Sequence, residues 1–271
     1  MNNWQIKIAI SILASFYIVC FSADLLPLAD ANQMNINEIY QAPSFNHLLG
    51  TDKLGRDILS RLIFAGRISL VIGFVGLIIS LPLAAIYGGI SGYFGGKIDM
   101  IMMRLAEALM SLPSFYLLII LSAMLPASLN NYQRFLLITC LISLISWAGL
   151  ARIIRGQIMS IKNNEYIQAA KSLGLSHLQI IIKHLLPQIS SFLIIAIAIS
   201  IPGYIIGESS LSFLGLGINE PDPSWGNMLA QGKDLANIIN HPWILWSPTI
   251  CLFLCIYSFN TLANYFREKL A

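Results

Sequence analysis

Apolar residues gather along this chain into six runs, at about 5–26, 68–91, 100–125, 134–151, 188–209 and 243–265, with polar stretches between them. A helix needs about 20 mostly apolar residues to cross the hydrocarbon core of a bilayer. The pattern therefore predicts six transmembrane helices. Proline interrupts several runs, at Pro82, Pro113, Pro202 and Pro248. Membrane helices tolerate such prolines because neighbours and water re-satisfy the freed carbonyls, and they often kink there.

Two of the polar stretches are long, about 27–67 and 210–242. In the first, "HLLGTDKLGRDILSRLIFAGRISL" ends in an amphipathic pattern. Asp57 and Arg61 stand i,i+4 in the favourable order, and Ile58, Leu59, Leu62 and Ile63 supply an apolar side. That pattern predicts an interfacial helix lying flat on the membrane. The second stretch, "ESSLSFLGLGINEPDPSWGNMLAQGKD", starts apolar and turns rich in Gly and Pro. It reads as a segment that dips back toward the membrane before the last span.

The stretch from about 152 to 187 has a different character. Asn163 and Asn164 are good N-cap residues, and Glu165 in the first turn suits the helix dipole. The helical pattern runs to Leu173, and Gly174 is placed for the left-handed residue after a helix end. Ser176 and Gln179 then form an S-x-x-Q capping box that starts a second helix, which Pro187 either ends or turns into the fifth span. Small side chains at Ala169, Ala170 and Gly174 let another surface approach the backbone. Spacing alone leaves open whether that surface is this chain's own helix ends or a partner.

Composition agrees with a membrane protein. Hydrophobic residues make up 56% of the 271 and charged residues 11%, with mean hydropathy +0.72, against about 25% charged in soluble domains. Cys20, Cys140, Cys251 and Cys255 all fall inside apolar runs and read as small apolar filler. Lys7 precedes the first run, but that run exceeds the 7–15 residues of a signal-peptide core, so it reads as a retained first helix. No internal repeat, low-complexity tract or soluble domain shows, and residues 1–271 read as one membrane domain.

Six spans put both termini on one side. With the termini inside, ten of the 16 Lys and Arg residues, among them Lys7, Lys171, Lys183 and Arg267, lie inside. Six, among them Lys53, Arg56 and Arg61, lie outside. The positive-inside rule favours that orientation. The 152–187 stretch is then cytoplasmic.

Other features narrow the chemistry. No Walker A sequence is present, since "GGKI" and "QGKD" lack the upstream Gly and the following hydroxyl residue, so the chain is not expected to bind or hydrolyse ATP. An intramembrane serine protease would want a Gly-flanked serine and a histidine on a facing span, whereas His47, His177, His184 and His241 lie in loops or at span ends. A secondary transporter would show mid-membrane ionisable groups and repeated halves, and neither is seen. Glycines recur every fourth residue at 88, 92 and 96 and at 203 and 207, a pattern of close helix approach. Glu208 falls near the outer end of the fifth span, where it either lines a pathway or caps the following loop. Trp225 reads as an interface anchor or a substrate contact, and Arg104 with Glu107 as a structural i,i+3 pair.

"QAAKSLG" followed by "HLLP" resembles the E-A-A-x-x-x-G loop of permease subunits of bacterial ABC importers. Gln168 stands at the motif's glutamate, with Glu165 three residues earlier. The resemblance implies a coupling helix in which Glu165, Gln168, Ala169, Ala170 and Gly174 meet an ATP-hydrolysing subunit, with docking kept and any ion pair from position 168 lost. Four further blocks, "LLGTDKLGRDILSRLIFAGRISL", "GGISGYFGGKIDMIMMRLAEALMSLPS", "ARIIRGQIMSIKNNEYIQAAKSLG" and "GESSLSFLGLGINEPDPSWGNML", resemble the C-type permease of the dipeptide/oligopeptide/nickel importer branch. The likeness covers roughly 45–262. The chain's "NYFREKLA" end lacks the acidic tail common in that branch.

Membership would imply an all-α type I importer permease in the bacterial cytoplasmic membrane, with both termini cytoplasmic. Its partners would be a second, homologous permease, two ATPase subunits that bind ATP and Mg, and an extracytoplasmic binding protein. No cofactor, metal or nucleic acid is expected on this chain. Glu208, Ser209, Ser210 and Trp225 would belong to the pathway or the outer loop. Short peptides are the expected cargo, with nickel or another small solute as the alternative.

Overall fold

A computed structural model describes residues 3–270, and it is helical almost throughout. Among the described residues the only β-type pairing is an isolated bridge between Thr51 and Asp57. The helices are α1 (Asn3–Phe21), α2 (Ile58–Phe94), α3 (Gly96–Ser111), α4 (Ser114–Ala123), α5 (Asn131–Ile161), α6 (Glu165–Ser172), α7 (His177–Ile180), α8 (Leu186–Gln188), α9 (Ser190–Phe213), α10 (Trp225–Ala230), α11 (Leu235–Asn240) and α12 (Pro242–Leu270). Five of them, α1, α2, α5, α9 and α12, are long and apolar enough to cross a membrane singly.

The sixth crossing is broken. Helices α3 and α4 meet at 77°. Leu112, between them, is extended at φ −86°, ψ 134°, as steric pressure from the following Pro113 favours. The pair still carries the chain across. At one end of the bundle the Lys162 ammonium, just after α5, bonds the Gly92 carbonyl near the end of α2. At the other end Asn131, which opens α5, bonds Asp222 of the outer connection. The chain leaves α2 at the first end and re-enters α5 at the second, so α3 and α4 together make one traverse.

Several expected boundaries move. The stretch 58–67 is not a flat interfacial helix but the start of α2. That helix has 37 residues, about 55 Å at 1.5 Å per residue, against a core of about 30 Å. Asp57 caps it, accepting from the Ser60 N–H at 2.8 Å, and its other oxygen meets His47 Nδ1 at 2.9 Å. Asp57 is therefore not paired with Arg61. Helix α5 runs ten residues past its expected end at 151, so the polar loop starts at Lys162. The first outer connection ends at Asp57 rather than near 67.

Helices α2 and α5 lie against one another along the bundle, and the glycines show how closely. A Cβ on Gly88 would stand 2.4 Å from the Ala151 carbonyl oxygen, and one on Gly92 would stand 2.8 Å from that of Arg155. Those two glycines serve packing within the chain. Gly96 and Gly203 do not, since a Cβ on either would meet nothing within 4 Å.

Two buried clusters fill the bundle. The outer one joins α1, the first half of α2, α9, α10 and α12 around Leu70, Tyr204, Trp225 and Phe259. The inner one joins the second half of α2 with α3, α5 and the 165–189 segment around Ala84, Ile154, Ile158, Ile167 and Ile180.

Candidate functional site

The loop after α5 is built as two short helices about a tight corner. Helix α6 ends in a Schellman arrangement: the Leu175 N–H bonds the Ala170 carbonyl at 3.3 Å and the Gly174 N–H bonds that of Lys171 at 3.0 Å. Gly174 sits at φ +76°, where a side chain would be strained. Ser176 and Gln179 make both bonds of the capping box. Asn164 occupies the N-cap of α6 without a side-chain cap bond.

The five loop positions singled out by resemblance separate into two faces. Glu165, Gln168, Ala169 and Gly174 are exposed, whereas Ala170 is buried. Ala170 and Ile167 pin α6 to the inner cluster, so Ala170 is small for the chain's own packing. The outward face carries Ala169 and Tyr166 together with Leu173, 81% exposed, and Leu178, 57% exposed.

The loop is tied to the bundle at the end of α2. The Tyr93 hydroxyl lies 2.9 Å from His177 Nδ1, Phe94 stands edge-on to the same imidazole, and the Lys171 ammonium lies 5.4 Å from the centre of the Tyr93 ring. Beside it, Arg155 of α5 grips Asp99 of α3 through Nε and Nη2, both at 2.5 Å, and Ser91 of α2 donates to the same carboxylate. This is the structural acid–base pair of α3. Arg104 and Glu107 are both exposed, and no ion pair joins them among the described residues. Nothing in the local spacing revealed Asp99–Arg155, because the partners are 56 positions apart.

At the opposite end, two arginines converge on one carboxylate. Glu220 accepts from Arg56 at 2.5 and 3.2 Å and from Arg61 at 3.1 and 3.0 Å. Asp52 backs Arg56 at 2.8 Å and receives the Leu54 and Arg56 backbone N–H groups. Both guanidinium groups are fully buried, while the Glu220 side chain remains 45% exposed. Burial opposes the charge on Asp52, yet the Arg56 guanidinium and the two backbone donors outweigh it and hold the carboxyl below its ordinary 3.8. Two acids and two bases balance, and they clamp the 22–57 segment to the 214–224 loop. Glu220 lies 164 positions from Arg56, so only the fold could reveal the clamp.

Glu208 is fully enclosed. It takes the Ser212 hydroxyl at 2.6 Å and those of Ser69 and Ser209 at 3.4 Å each. Ser212 in turn accepts the Ile218 N–H, and Ser69 the Trp225 N–H. The acid thus holds the following loop and α10 onto α9 and α2, and it presents no face to a pathway. Trp225 is neither an interface anchor nor open to a substrate. It is 1% exposed, with Nε1 bonded to the Leu62 carbonyl at 3.1 Å and its ring edge-on to Phe16.

Ser209 and Ser210, by contrast, line a chamber. It has a volume of about 610 Å³ and lies between α4, the outer half of α9, α10 and α12. A polar cleft of about 200 Å³ involves Lys53, Asn219, Glu220 and Gln231 nearer the outer surface.

Comparison with known proteins agrees with this anatomy. Residues 76–271 match the family described as the binding-protein-dependent transport system inner membrane component. The chain is 42% identical over 236 residues to the oligopeptide transport system permease protein OppC of Haemophilus influenzae, covering 86% of this chain and 73% of that one. It is 37% identical over 260 residues to the dipeptide transport system permease protein DppC of Bacillus subtilis, covering 96% and 79%. Against OppC of Escherichia coli K12 the identity is 38% over 224 residues, covering 83% and 72%. With its helical bundle, its broken third crossing and its tethered two-helix loop, the chain belongs to the family of inner-membrane permease components of binding-protein-dependent ABC importers.

Proposed function

We propose that this chain forms one half of the translocation pathway of an ATP-driven importer of short peptides. The observation that carries the reading is the two-faced α6. Ile167 and Ala170 fasten it to the chain's own core, while Ala169, Leu173 and Leu178 stay exposed on a loop anchored to α2 and α5. A rigid, apolar, tethered knob is suited to seat in a groove of an ATPase subunit and pass its movement to the bundle. The names of the relatives, oligopeptide and dipeptide permeases, support peptide cargo.

In this reading a homologous second permease completes the pathway and two ATPase subunits bind the ATP and Mg. A binding protein delivers cargo to the face that carries the Arg56–Glu220–Arg61 clamp. Glu165, Gln168, Ala169 and Gly174 lie at the ATPase contact, with Ala170 supporting them from behind. In this reading both chain ends lie on the same membrane face as α6, and the excess of Lys and Arg assigned to that face supports a cytoplasmic orientation.

The test is purification of the tagged protein from its native membranes under mild detergent, followed by identification of the chains that accompany it. A sister permease and ATPase subunits are expected, with ATP-dependent uptake of labelled di- and tripeptides once the complex is placed in liposomes with its binding protein. A chain that purifies alone and moves solute without ATP would refute the reading.

A further inference from the structure

All but one of the buried charged side chains among the described residues are answered within the chain. The acids and arginines of the outer clamp pair with one another, Asp57 meets His47, Asp99 meets Arg155, and Glu208 takes serine hydroxyls. Arg134, the fourth residue of α5, is 7% exposed and has neither a hydrogen bond from its side chain nor an ion pair. A buried charge without a counter-charge is costly. Its place adds to the cost, because the start of a helix already carries partial positive charge, and the first turn of α5 holds no acid.

The geometry leaves one way in for a counter-charge. Nε is enclosed, whereas the two terminal nitrogens, equally unbonded, are not. Helical side chains lean toward the helix N-terminus, so the guanidinium leans toward the outer surface. The acids of the adjoining outer loop are engaged elsewhere, Asp222 with Asn131 and Glu220 with the two clamp arginines. A second unanswered donor stands near the outer end of α4. Ser122 is 2% exposed with an unbonded hydroxyl, on the face of α4 whose Leu118 and Leu125 pack into the outer cluster with Ile138 of α5.

Position selects the ligand. The apolar run of α5 starts at Phe135, so Arg134 stands where the hydrocarbon of a bilayer gives way to its headgroups. Helix α4 exposes Tyr116, Ile120 and Met124 at i, i+4 and i+8, an apolar stripe suited to an acyl chain and ending at the outer end of that helix. A guanidinium fork matches phosphate oxygens in pairs. Cargo is there only in passing, whereas a permanent charge calls for a permanent counter-charge, which a bilayer supplies at this level. We infer that Arg134, with the Ser122 hydroxyl, holds the phosphate of a phospholipid at the outer end of the bundle.

The test uses the permease purified from its native membranes in neutral detergent, with thermal unfolding as the readout. The additions are phosphatidylglycerol, diacylglycerol, inorganic phosphate and dialanine. Phosphatidylglycerol should raise the unfolding temperature of the wild type, and diacylglycerol, which lacks the phosphate, should not. Arg134→Met should weaken the apparent affinity for phosphatidylglycerol about tenfold, the effect of losing one hydrogen bond to a charged group, and Arg134→Lys should restore part of it. Without added lipid Arg134→Met should unfold no earlier than wild type, since an unanswered buried charge stabilises nothing.

Equal responses of wild type and Arg134→Met to phosphatidylglycerol, or no response of the wild type, would overturn the inference. So would protection by inorganic phosphate at the same concentration, which would make this a free-anion site, or by dialanine alone, which would give Arg134 to the cargo. Should Arg134→Met fail to purify, Ser122→Ala takes its place. It keeps the charge and should weaken the affinity severalfold, and an unchanged affinity overturns the inference equally.

Discussion

The Tyr93 hydroxyl, one residue before the end of α2, stands 2.9 Å from Nδ1 of His177, the first residue of α7. This contact joins the loop that bears α6 to the longest helix of the bundle. Tyr93→Phe keeps the ring, and with it the Lys171 contact, but removes the bond. A hydrogen bond of this kind contributes about 1 kcal/mol, so the variant should insert and assemble normally. If the contact transmits movement, peptide uptake per ATP hydrolysed should fall severalfold. An unchanged ratio would remove Tyr93 from the relay.

The two faces of α6 should respond oppositely. Leu173→Asp alters an exposed side chain and should release the ATPase subunits while leaving the thermal stability of the chain within about 0.5 kcal/mol, as surface changes usually do. Ala170→Leu forces volume into the inner cluster and should destabilise the chain by about 1–3 kcal/mol. Co-purification and thermal unfolding, measured on both variants, separate the two. Loss of the ATPases from neither variant would remove α6 as the docking element.

Removing one arginine of the outer clamp leaves buried charge behind. Arg56→Met takes the near guanidinium from Asp52, which is nearly fully buried and keeps only Arg61, at 3.9 Å, as a charged partner, and strips one of two partners from Glu220. Breaking a buried pair costs about 3–5 kcal/mol, and the exposure of Glu220 places the expectation at the lower end of that range. Thermal unfolding of the purified permease should show it. A loss below about 0.5 kcal/mol would mean that the clamp is ornamental to stability.

Asp52 also gives a pH dependence. Its carboxyl is held below the ordinary 3.8, so it binds its proton less readily when folded than when unfolded. The stability it contributes is fully present above pH 3.8 and is lost as pH falls through the lower, folded value. Asp52→Asn should flatten that part of the acid limb of a stability–pH profile, and an acid limb identical to wild type would place the acid sensitivity elsewhere.

Gly88 tests the closeness of α2 and α5. Gly88→Val would push a side chain onto the Ala151 carbonyl, where a Cβ alone already falls at 2.4 Å. Backbone cannot yield there as a flexible side chain can, and a cost of about 3 kcal/mol or more is expected, at the upper end of overpacking. Gly203→Ala, facing open space, should be near neutral for the isolated chain. If it instead weakens recovery of the sister permease, α9 meets that subunit through Gly203.

The sequence by itself determined the membrane class, the number of crossings and the design of the 165–187 loop. These are local properties. A run of apolar residues must be shielded from water wherever it lies, a capping box closes within four residues, and Gly174 answers a backbone demand at its own position. The blocks of resemblance likewise marked the family without any knowledge of contacts.

Only the tertiary structure decided which way each side chain faces and which distant groups meet. Periodicity could not separate Ala170 from Ala169, because both are small and only the position of the inner cluster distinguishes them. The pattern after Asp57 fits an interfacial helix and a helix start equally well. Burial of Ile58, Leu62 and Arg61 under the outer loops selected the second. Trp225 looked like an anchor because amphipathic rings favour interfaces, and its burial followed from the Leu62 carbonyl that receives its N–H. Asp99 with Arg155, and Glu220 with Arg56 and Arg61, are joined across 56 to 164 positions. Local spacing carries no record of such pairs, since it is chain folding that brings them into the buried surroundings where unpaired charge is costly.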